Sequence, residues 1–267
     1  MSLSARRITP RQQDRHEAIT ELVLNQGSAR IEELAETFGV STMTVHRDLD
    51  TLEARGILRK SRGVATALAT SLFESSPEFR AREHRADKEA VAQAALEFVE
   101  PGQAIILDDS TTGLHLAAHL PARQPLTVIT NFQRVITSLI GEPGIALISL
   151  GGLHYQWCDA YMGSVTLEAL RSLRADVLFM STPAIIDDIC FHQHHDAALV
   201  KRAMFEAAAM RILFVDHSKF SQRALHAHLS VKDFDHVIVD GDTSAEHVDR
   251  LRDKGVSVIV AGPAQLL

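Results

Sequence analysis

The sequence predicts an α/β fold in two parts: a winged helix-turn-helix over residues 10–68 and a mostly parallel α/β domain over residues 84–267. Two observations carry this. From residue 104 onward, short apolar runs alternate with helical patterns, as in a parallel sheet covered on both faces. Before residue 69 the pattern is different: three short helical stretches, then two strand-like runs around a basic turn.

Residues 1–9 carry no period and are expected to be disordered. A first helix is expected from about Pro10 to Gln26, with Ile19, Leu22 and Val23 on one face and Gly27 as its stop. Ile31, Leu34, Ala35 and Phe38 then recur at helical spacing. Gly39 breaks that helix, since a tight turn there needs a residue free of Cβ strain. Ser41 is a natural N-cap for the next helix. Val45, Leu49 and Leu52 anchor this helix on the previous one. Its other face shows Thr42, Met43, Thr44, His46, Arg47 and Asp50. Such a face fits a DNA major groove, although an ordinary helical hairpin with a solvated polar side has the same pattern. The next segment adds Arg55, Arg59, Lys60 and Arg62 with no acid among them, in the layout of a wing that rests on phosphates. The expected contacts with double-stranded DNA are Ser41, Thr42, Thr44, His46 and Arg47 on the helix, and Arg59, Lys60 and Arg62 on the wing.

Residues 69–83, rich in Ser and mixed charge, are expected to form a linker. A helix follows from about His84, through Val91, Ala95 and Phe98, and Pro101-Gly102 ends it. Strands are expected at 104–108, 126–130, 146–150, 177–181, 211–215, 236–240 and 256–260. Helices are expected at 113–120, 132–140, 163–174, 196–209 and 245–254. In such sheets ligands bind beyond the carboxyl ends of the strands, where helix N-termini present N–H groups. Asp108-Asp109-Ser110-Thr111-Thr112-Gly113 lies there. Its hydroxyls and amides suit a phosphate and its carboxylates suit sugar hydroxyls, with plain N-capping as the alternative. Thr130-Asn131 and Gly151-Gly152 close the next two strands; each is an ordinary turn signal taken alone.

Composition sets limits on function. Cys158 and Cys190 are too few for a disulfide framework and fit a reducing compartment. The N-terminus is Arg-rich without an apolar signal region, and no apolar run approaches a membrane span, so a soluble cytoplasmic protein is expected. Net charge is −7. Its distribution is uneven: residues 1–68 hold 10 Lys+Arg against 9 Asp+Glu, and the remainder 17 against 25. An acidic body with a locally basic head remains compatible with DNA.

Ser41-Thr42-Met43-Thr44-Val45-His46-Arg47-Asp48-Leu49, followed by Leu52-Glu53 and Gly56-Ile57-Leu58, is similar to the signature of the DeoR-type transcriptional regulators. His46 stands where Arg is usual, and Ser61-Arg62-Gly63 stands for a His-Gly-Gly wing. The resemblance runs to about residue 240. It implies a C-terminal effector-sensing domain of the ribose-phosphate isomerase and CoA-transferase-like fold, a small anionic effector such as a sugar phosphate, and repression relieved by that ligand. Reading two half-sites implies a homo-oligomer, dimer or tetramer. The family's Asp-x-Gly-Thr/Ser-Thr loop maps onto Asp108, Ser110, Thr111 and Thr112. Asn131, Gly151 and Gly152 match positions facing the pocket. Val200-Lys201-Arg202-Ala203-Met204 resembles the stretch that brings a lysine, here Lys201, to phosphate or carboxylate. Asp216-His217-Ser218-Lys219-Phe220 matches the family's Asp-Ser-Ser-Lys-Phe except at His217, and makes Lys219 the second candidate cation.

Two other readings compete with this one. Related isomerases use acids in the loop corresponding to 181–188. Here Ser181-Thr182-Pro183-Ala184-Ile185-Ile186-Asp187 has lost the first Asp and both glycines, which counts against an isomerase or transferase, and no catalytic residue or cofactor is expected. Cys190, His192, His194, His195 and Asp196 offer metal-ligand chemistry for a metal-responsive regulator. Adjacent imidazoles in a loop suit a tetrahedron poorly, so no metal is expected there and an effector contact by one His is.

Overall fold

The computed structural model describes residues 12–54, 58–67 and 77–263. The chain divides into two compact units, Met1–Ser75 and Ser76–Leu267. The expected disorder at 1–9, the wing cation Arg55 and the linker stretch 69–76 lie outside the described residues.

The first unit runs α1 (Gln12–Gln26), β1 (Ser28–Arg30), α2 (Ile31–Phe38), α3 (Thr42–Ala54), β2 (Leu58–Ser61) and β3 (Val64–Ala67). Ile19, Val23, Ile31, Leu34, Val45, Leu49, Leu52 and Leu58 are buried together, as their spacing required. Gly39 is left-handed (φ 64) and closes α2, with the Val40 amide reaching back to the Ala35 carbonyl at 3.1 Å. Strand β1 was not expected. It completes a sheet of order β1-β3-β2, antiparallel throughout. The wing turn is a two-residue hairpin, Arg62-Gly63, with both residues at positive φ (49 and 78).

A buried ion cluster pins α1 to α3. Asp48 accepts from Arg15 Nε at 2.6 Å and Nη2 at 3.1 Å, and its Oδ1 lies 2.8 Å from His16 Nε2. All three residues are buried. Arg15, His16, Ile19 and Val23 share one face of α1, so the helix is held by charge at one end of that face and by apolar packing at the other.

The second unit begins with α4 (Pro77–Arg82) and α5 (Arg85–Leu96). It continues β4 (Ala104–Leu107), α6 (Thr111–His119), β5 (Leu126–Thr130), α7 (Gln133–Leu139), β6 (Ile145–Ser149), β7 (Leu153–Tyr155), β8 (Ala160–Met162) and α8 (Ser164–Arg171). Then come β9 (Ala175–Met180), β10 (Ala184–Ile186), β11 (Ile189–His192), α9 (His195–Glu206), β12 (Ala208–Val215), β13 (His226–Ser230), β14 (His236–Val239), α10 (Ala245–Asp253) and β15 (Val258–Val260). The seven expected strands are those of one sheet, order β15-β14-β12-β9-β4-β5-β6, parallel at every pairing. The chain builds outward from β4 to β6, returns beside β4 as β9, and builds outward the other way. The switch point, where the crevice of such a sheet opens, is therefore between β4 and β9.

Two features differ from expectation. Helix α4 occupies part of the stretch read as a linker. Residues 190–196, read as a loop, are strand β11 and the start of α9; β11 joins β10 and β13 in a small antiparallel sheet. Three-residue strands such as β7, β8 and β10 are too short for a period to mark them.

In the first unit, burial raises the Asp48 carboxyl, but the bonds from Arg15 and His16 outweigh it and hold the group below its ordinary 3.8. A carboxylate depressed on folding stabilises the fold above its unfolded value, and that contribution is lost as pH falls through the folded value. Asp48→Asn removes the charge that offsets a buried guanidinium and should cost about 3–5 kcal/mol. The check is urea unfolding of the full chain at pH 7, where the loss should appear in the helical transition, and again at progressively lower pH, where the gap between variant and parent should narrow as Asp48 takes up its proton. A loss below about 1 kcal/mol at pH 7 would reject the cluster as an anchor.

Candidate DNA-reading face and effector site

Helix α3 turns Val45, Asp48, Leu49 and Leu52 inward, which leaves Ser41, Thr42, Met43, Arg47 and Asp50 exposed and Thr44 and His46 half-buried. Ser41 caps the helix: its Oγ accepts from the Thr44 amide at 3.2 Å and lies 2.9 Å from Thr44 Oγ1. These two hydroxyls are thus partly committed to each other. Arg59 and Arg62 are exposed on the wing. Lys60 is not free: its ammonium pairs with Asp50 of α3, and its amide donates to Glu53 Oε1 at 2.9 Å. The wing is therefore tied to α3 by acids of that helix. Met43, 63% exposed, is an apolar group on this face that the expected contact set omitted.

In the second unit the switch point is filled by a buried ionic triad. Lys201 Nζ, from α9, donates to Asp108 Oδ2 at 2.5 Å and to the Ser181 carbonyl at 3.2 Å, and lies 3.0 Å from Asp109 Oδ1. Asp108 Oδ2 also accepts from the Ser181 amide at 2.9 Å, and Oδ1 from the Ser110 amide at 3.2 Å. Burial disfavours the Lys201 ammonium, yet the two carboxylates outweigh it and raise its pKa. Burial likewise pushes Asp109 up, but Lys201, His192 and Arg80 bring it down to about 2. Asp108 is raised, chiefly by burial. Lys201 thus has a partner for each of its three N–H bonds. The direct phosphate contact expected of it is taken by aspartates.

Ser110 occupies the N-cap of α6, its Oγ accepting from the Gly113 amide at 3.0 Å, with Thr111 and Thr112 buried in the first turn. Thr111 Oγ1 donates to the Arg80 carbonyl at 3.4 Å. Asn131 is buried at the end of β5; its Nδ2 donates to the Tyr161 carbonyl at 2.9 Å, and its Oδ1 has no hydrogen-bond partner among the described residues. Gly152 has a packing reason: a Cβ there would meet Thr166 Oγ1 at 2.3 Å and the Met162 carbonyl at 2.5 Å. Gly151 contributes its carbonyl to Thr166 Oγ1 at 2.6 Å.

Lys219 follows β12, with its Nζ 3.4 Å from Asp216 Oδ2. Two cations missed from sequence complete the group, Lys88 near Lys219 and Arg80 near Lys88. Lys88 is buried on α5, and its pKa is pushed down to about 8 by burial and then by Lys219 and Arg80, against Asp216 and Glu83. Its ammonium donates to the carbonyls of Arg80 and Glu83. Its signal was visible: Lys88, Val91, Ala92 and Ala95 form one buried stripe, and a lysine on such a stripe is exceptional. Asp216 is held at about 2: burial opposes ionisation, and Lys219, Ser218 and Lys88 outweigh it.

Residues 190–196 do not converge on a metal. His192 Nδ1 accepts from the His194 amide at 3.0 Å, His194 stacks on Trp157 with ring centres 3.8 Å apart, and His195 faces His226. Burial holds the His192 imidazolium form off, well below the usual value. Among the described residues, no group of three potential ligands draws on this segment. Nor is any helix long and apolar enough to cross a membrane.

Two family profiles match the chain: the DeoR-like helix-turn-helix domain over residues 15–71 and the DeoR C terminal sensor domain over residues 83–241. A putative aga operon transcriptional repressor of Escherichia coli O157:H7 is 32% identical over 252 residues, covering 93% of this chain and 94% of that one. The transcriptional repressor AccR of Agrobacterium fabrum is 30% identical, with coverages of 86% and 90%. A lactose phosphotransferase system repressor of Staphylococcus epidermidis is 28% identical, with coverages of 86% and 92%. Among solved structures, ribose 5-phosphate isomerase A of Methanocaldococcus jannaschii aligns over 52% of this chain and 55% of that one, at 15% identity and a TM-score of 0.39.

Lys201→Met leaves two buried carboxylates without their cation and should destabilise the second unit by about 3–5 kcal/mol. Thermal unfolding of the full chain followed by near-ultraviolet circular dichroism of Trp157 checks this. An unchanged melting curve would reject the triad as an anchor of the second unit.

Proposed function

The chain belongs to the DeoR family of transcriptional regulators, and from that premise we propose that it is a cytoplasmic repressor of a sugar-utilisation operon, released by a phosphorylated sugar. The reading is supported by relatives named as a putative aga operon transcriptional repressor and a lactose phosphotransferase system repressor. The observation that carries the effector class is the placement of the cations Arg80, Lys88 and Lys219 at the sheet's carboxyl edge. Lys88 and Lys219 flank Asp216 beyond β12, with the acids Asp87, Asp240 and Asp242 near them, and Arg80 acts on both Lys88 and Asp109. The Asp108-Asp109-Lys201 triad and the unpartnered Asn131 Oδ1 lie toward β4, β5 and β9. A phosphate goes to the cationic side and the N-terminus of α6, whose first-turn amides favour anions. Sugar hydroxyls donate to Asp109 and Asn131.

On the DNA side, Arg47, His46 and Thr42 read base edges, Met43 meets a thymine methyl, and Arg59, Lys60 and Arg62 rest on phosphates. Lys60 exchanges Asp50 for a phosphate when it does so. Two half-sites require at least a dimer. Control is by linkage: the sugar phosphate binds one arrangement of the protein better, and that arrangement binds operator less well. The boundary between reading and sensing units falls within 69–83.

Arg47→Ala should cost about 1–3 kcal/mol at operator and little on random DNA. Arg59→Ala should weaken binding to both, and reduce the slope of log affinity against log salt by about 0.9. Unchanged operator affinity for Arg47→Ala would misplace the reading face. A thermal-shift screen of the full chain against sugar phosphates and their unphosphorylated forms tests the effector: a ligand at about a hundred times its dissociation constant adds about 2.7 kcal/mol. The shift should be confined to phosphorylated compounds and shrink in Lys219→Gln. A response only to unphosphorylated polyols would reject the phosphate site.

A further inference from the structure

A second set of side chains meets at the same edge of the sheet and is used by neither reading. His84 immediately precedes α5, and Asp87 is in its first turn. His217 follows β12, and Asp240 follows β14. His84 Nδ1 is 3.3 Å from Asp87 Oδ2. His217 Nδ1 is 3.1 Å and 3.2 Å from the two oxygens of Asp240. The two imidazoles touch edge to face, ring centres 4.7 Å apart. One donor atom each from His84, Asp87 and His217 lies within 4.8 Å of the others.

Either pair alone is an ordinary histidine–carboxylate hydrogen bond. Their convergence is not. Bonds of about 2.0–2.1 Å from a zinc ion to N and O ligands place tetrahedral ligands about 3.3 Å apart, close to the His84–Asp87 separation. Asp240 is buried, and its oxygens also accept from the amides of His217 and Asp242. A carboxylate fixed in this way holds the Nδ1 proton of His217 and directs the Nε2 lone pair outward, the arrangement that second-sphere carboxylates give to metal-binding imidazoles. Asp87, Asp216, Asp240 and Asp242 outnumber the local cations Lys88 and Lys219. His84, Asp87 and His217 are half-buried, so an ion can enter and a fourth position stays open to water.

We propose that His84, Asp87 and His217 form a site for a zinc-class divalent transition-metal ion, with Asp240 orienting His217 from behind. Two imidazoles select such an ion over magnesium or calcium, which prefer all-oxygen sets. The ion ties the start of α5 to the end of β12, and through Asp240 to the end of β14. His217 stands where the DeoR-type stretch carries serine, so the site belongs to this chain's own sequence. It does not depend on which effector the neighbouring pocket takes.

The test is calorimetric titration of the full-length, chelator-treated protein with zinc chloride, with cobalt(II) absorption as a second readout. One zinc per chain is expected, with a tetrahedral cobalt spectrum lacking thiolate bands. His84→Ala and His217→Ser should each weaken zinc binding at least tenfold, while melting temperatures without metal stay near the parent's. Binding well below one zinc per chain would overturn the proposal. So would binding unchanged in both variants, or binding abolished by His192→Phe instead, which would move the metal to β11. If either variant failed to fold, the parent's zinc stoichiometry and cobalt spectrum would still decide the outcome.

Discussion

The ammonium of Lys201, buried between Asp108 and Asp109, is the interaction on which the second unit depends. Taking three charges out of water is costly, and only close geometry with every hydrogen bond satisfied offsets it. Here the geometry supplies that. Lys201 reaches from α9, Asp108 ends β4, and Ser181 ends β9, so the triad closes the crevice where the strand order reverses. Because Asp108 also holds the Ser110 amide, it sets the entry of α6. The first turn of that helix is thus aimed by a carboxylate rather than by packing alone.

The same device recurs in the first unit. Asp48 belongs to the reading helix by sequence, yet it faces inward to Arg15 and His16. It fixes how α3 lies on α1, and with it which residues face solvent. Arg47 is exposed because its neighbour Asp48 is not. In both units, then, a buried carboxylate joined to a distant cation orients a helix, α3 in the first and the start of α6 in the second. Replacing such a pair with apolar groups can preserve stability, but it removes the geometric specification that the charges impose.

Net charge misleads in this protein. The overall −7 comes from residues beyond 68, while the wing carries Arg59, Lys60 and Arg62. Lys60 resting on Asp50 shows how cations near an acid can be stored. A phosphate competes with that carboxylate for the same ammonium, so part of the electrostatic gain on binding DNA is offset by the pair that must open. The sensor edge shows the inverse. An acidic body still assembles Arg80 and Lys219 around Lys88, whose pKa is lowered first by burial and then by repulsion from those two cations.

What the sequence determined by itself was local. Hydrophobic periods located the seven strands of the sheet, the helices between them and helix α3 with its exposed Thr42 and Arg47, because a period of two or 3.6 residues is written in neighbouring positions. The tertiary structure alone decided partnership. It consumed Lys201 in a triad, recruited Lys88 and Arg80 beside Lys219, gave Gly152 a packing role, drew residues 190–196 into a strand and a helix start, and set His84 against His217. Strands β1, β7, β8 and β10 also had to wait for it, since three residues carry no period and are strands only because a partner lies alongside. Contacts between residues far apart in the chain leave no mark on the spacing of either one, so only the folded geometry could show them.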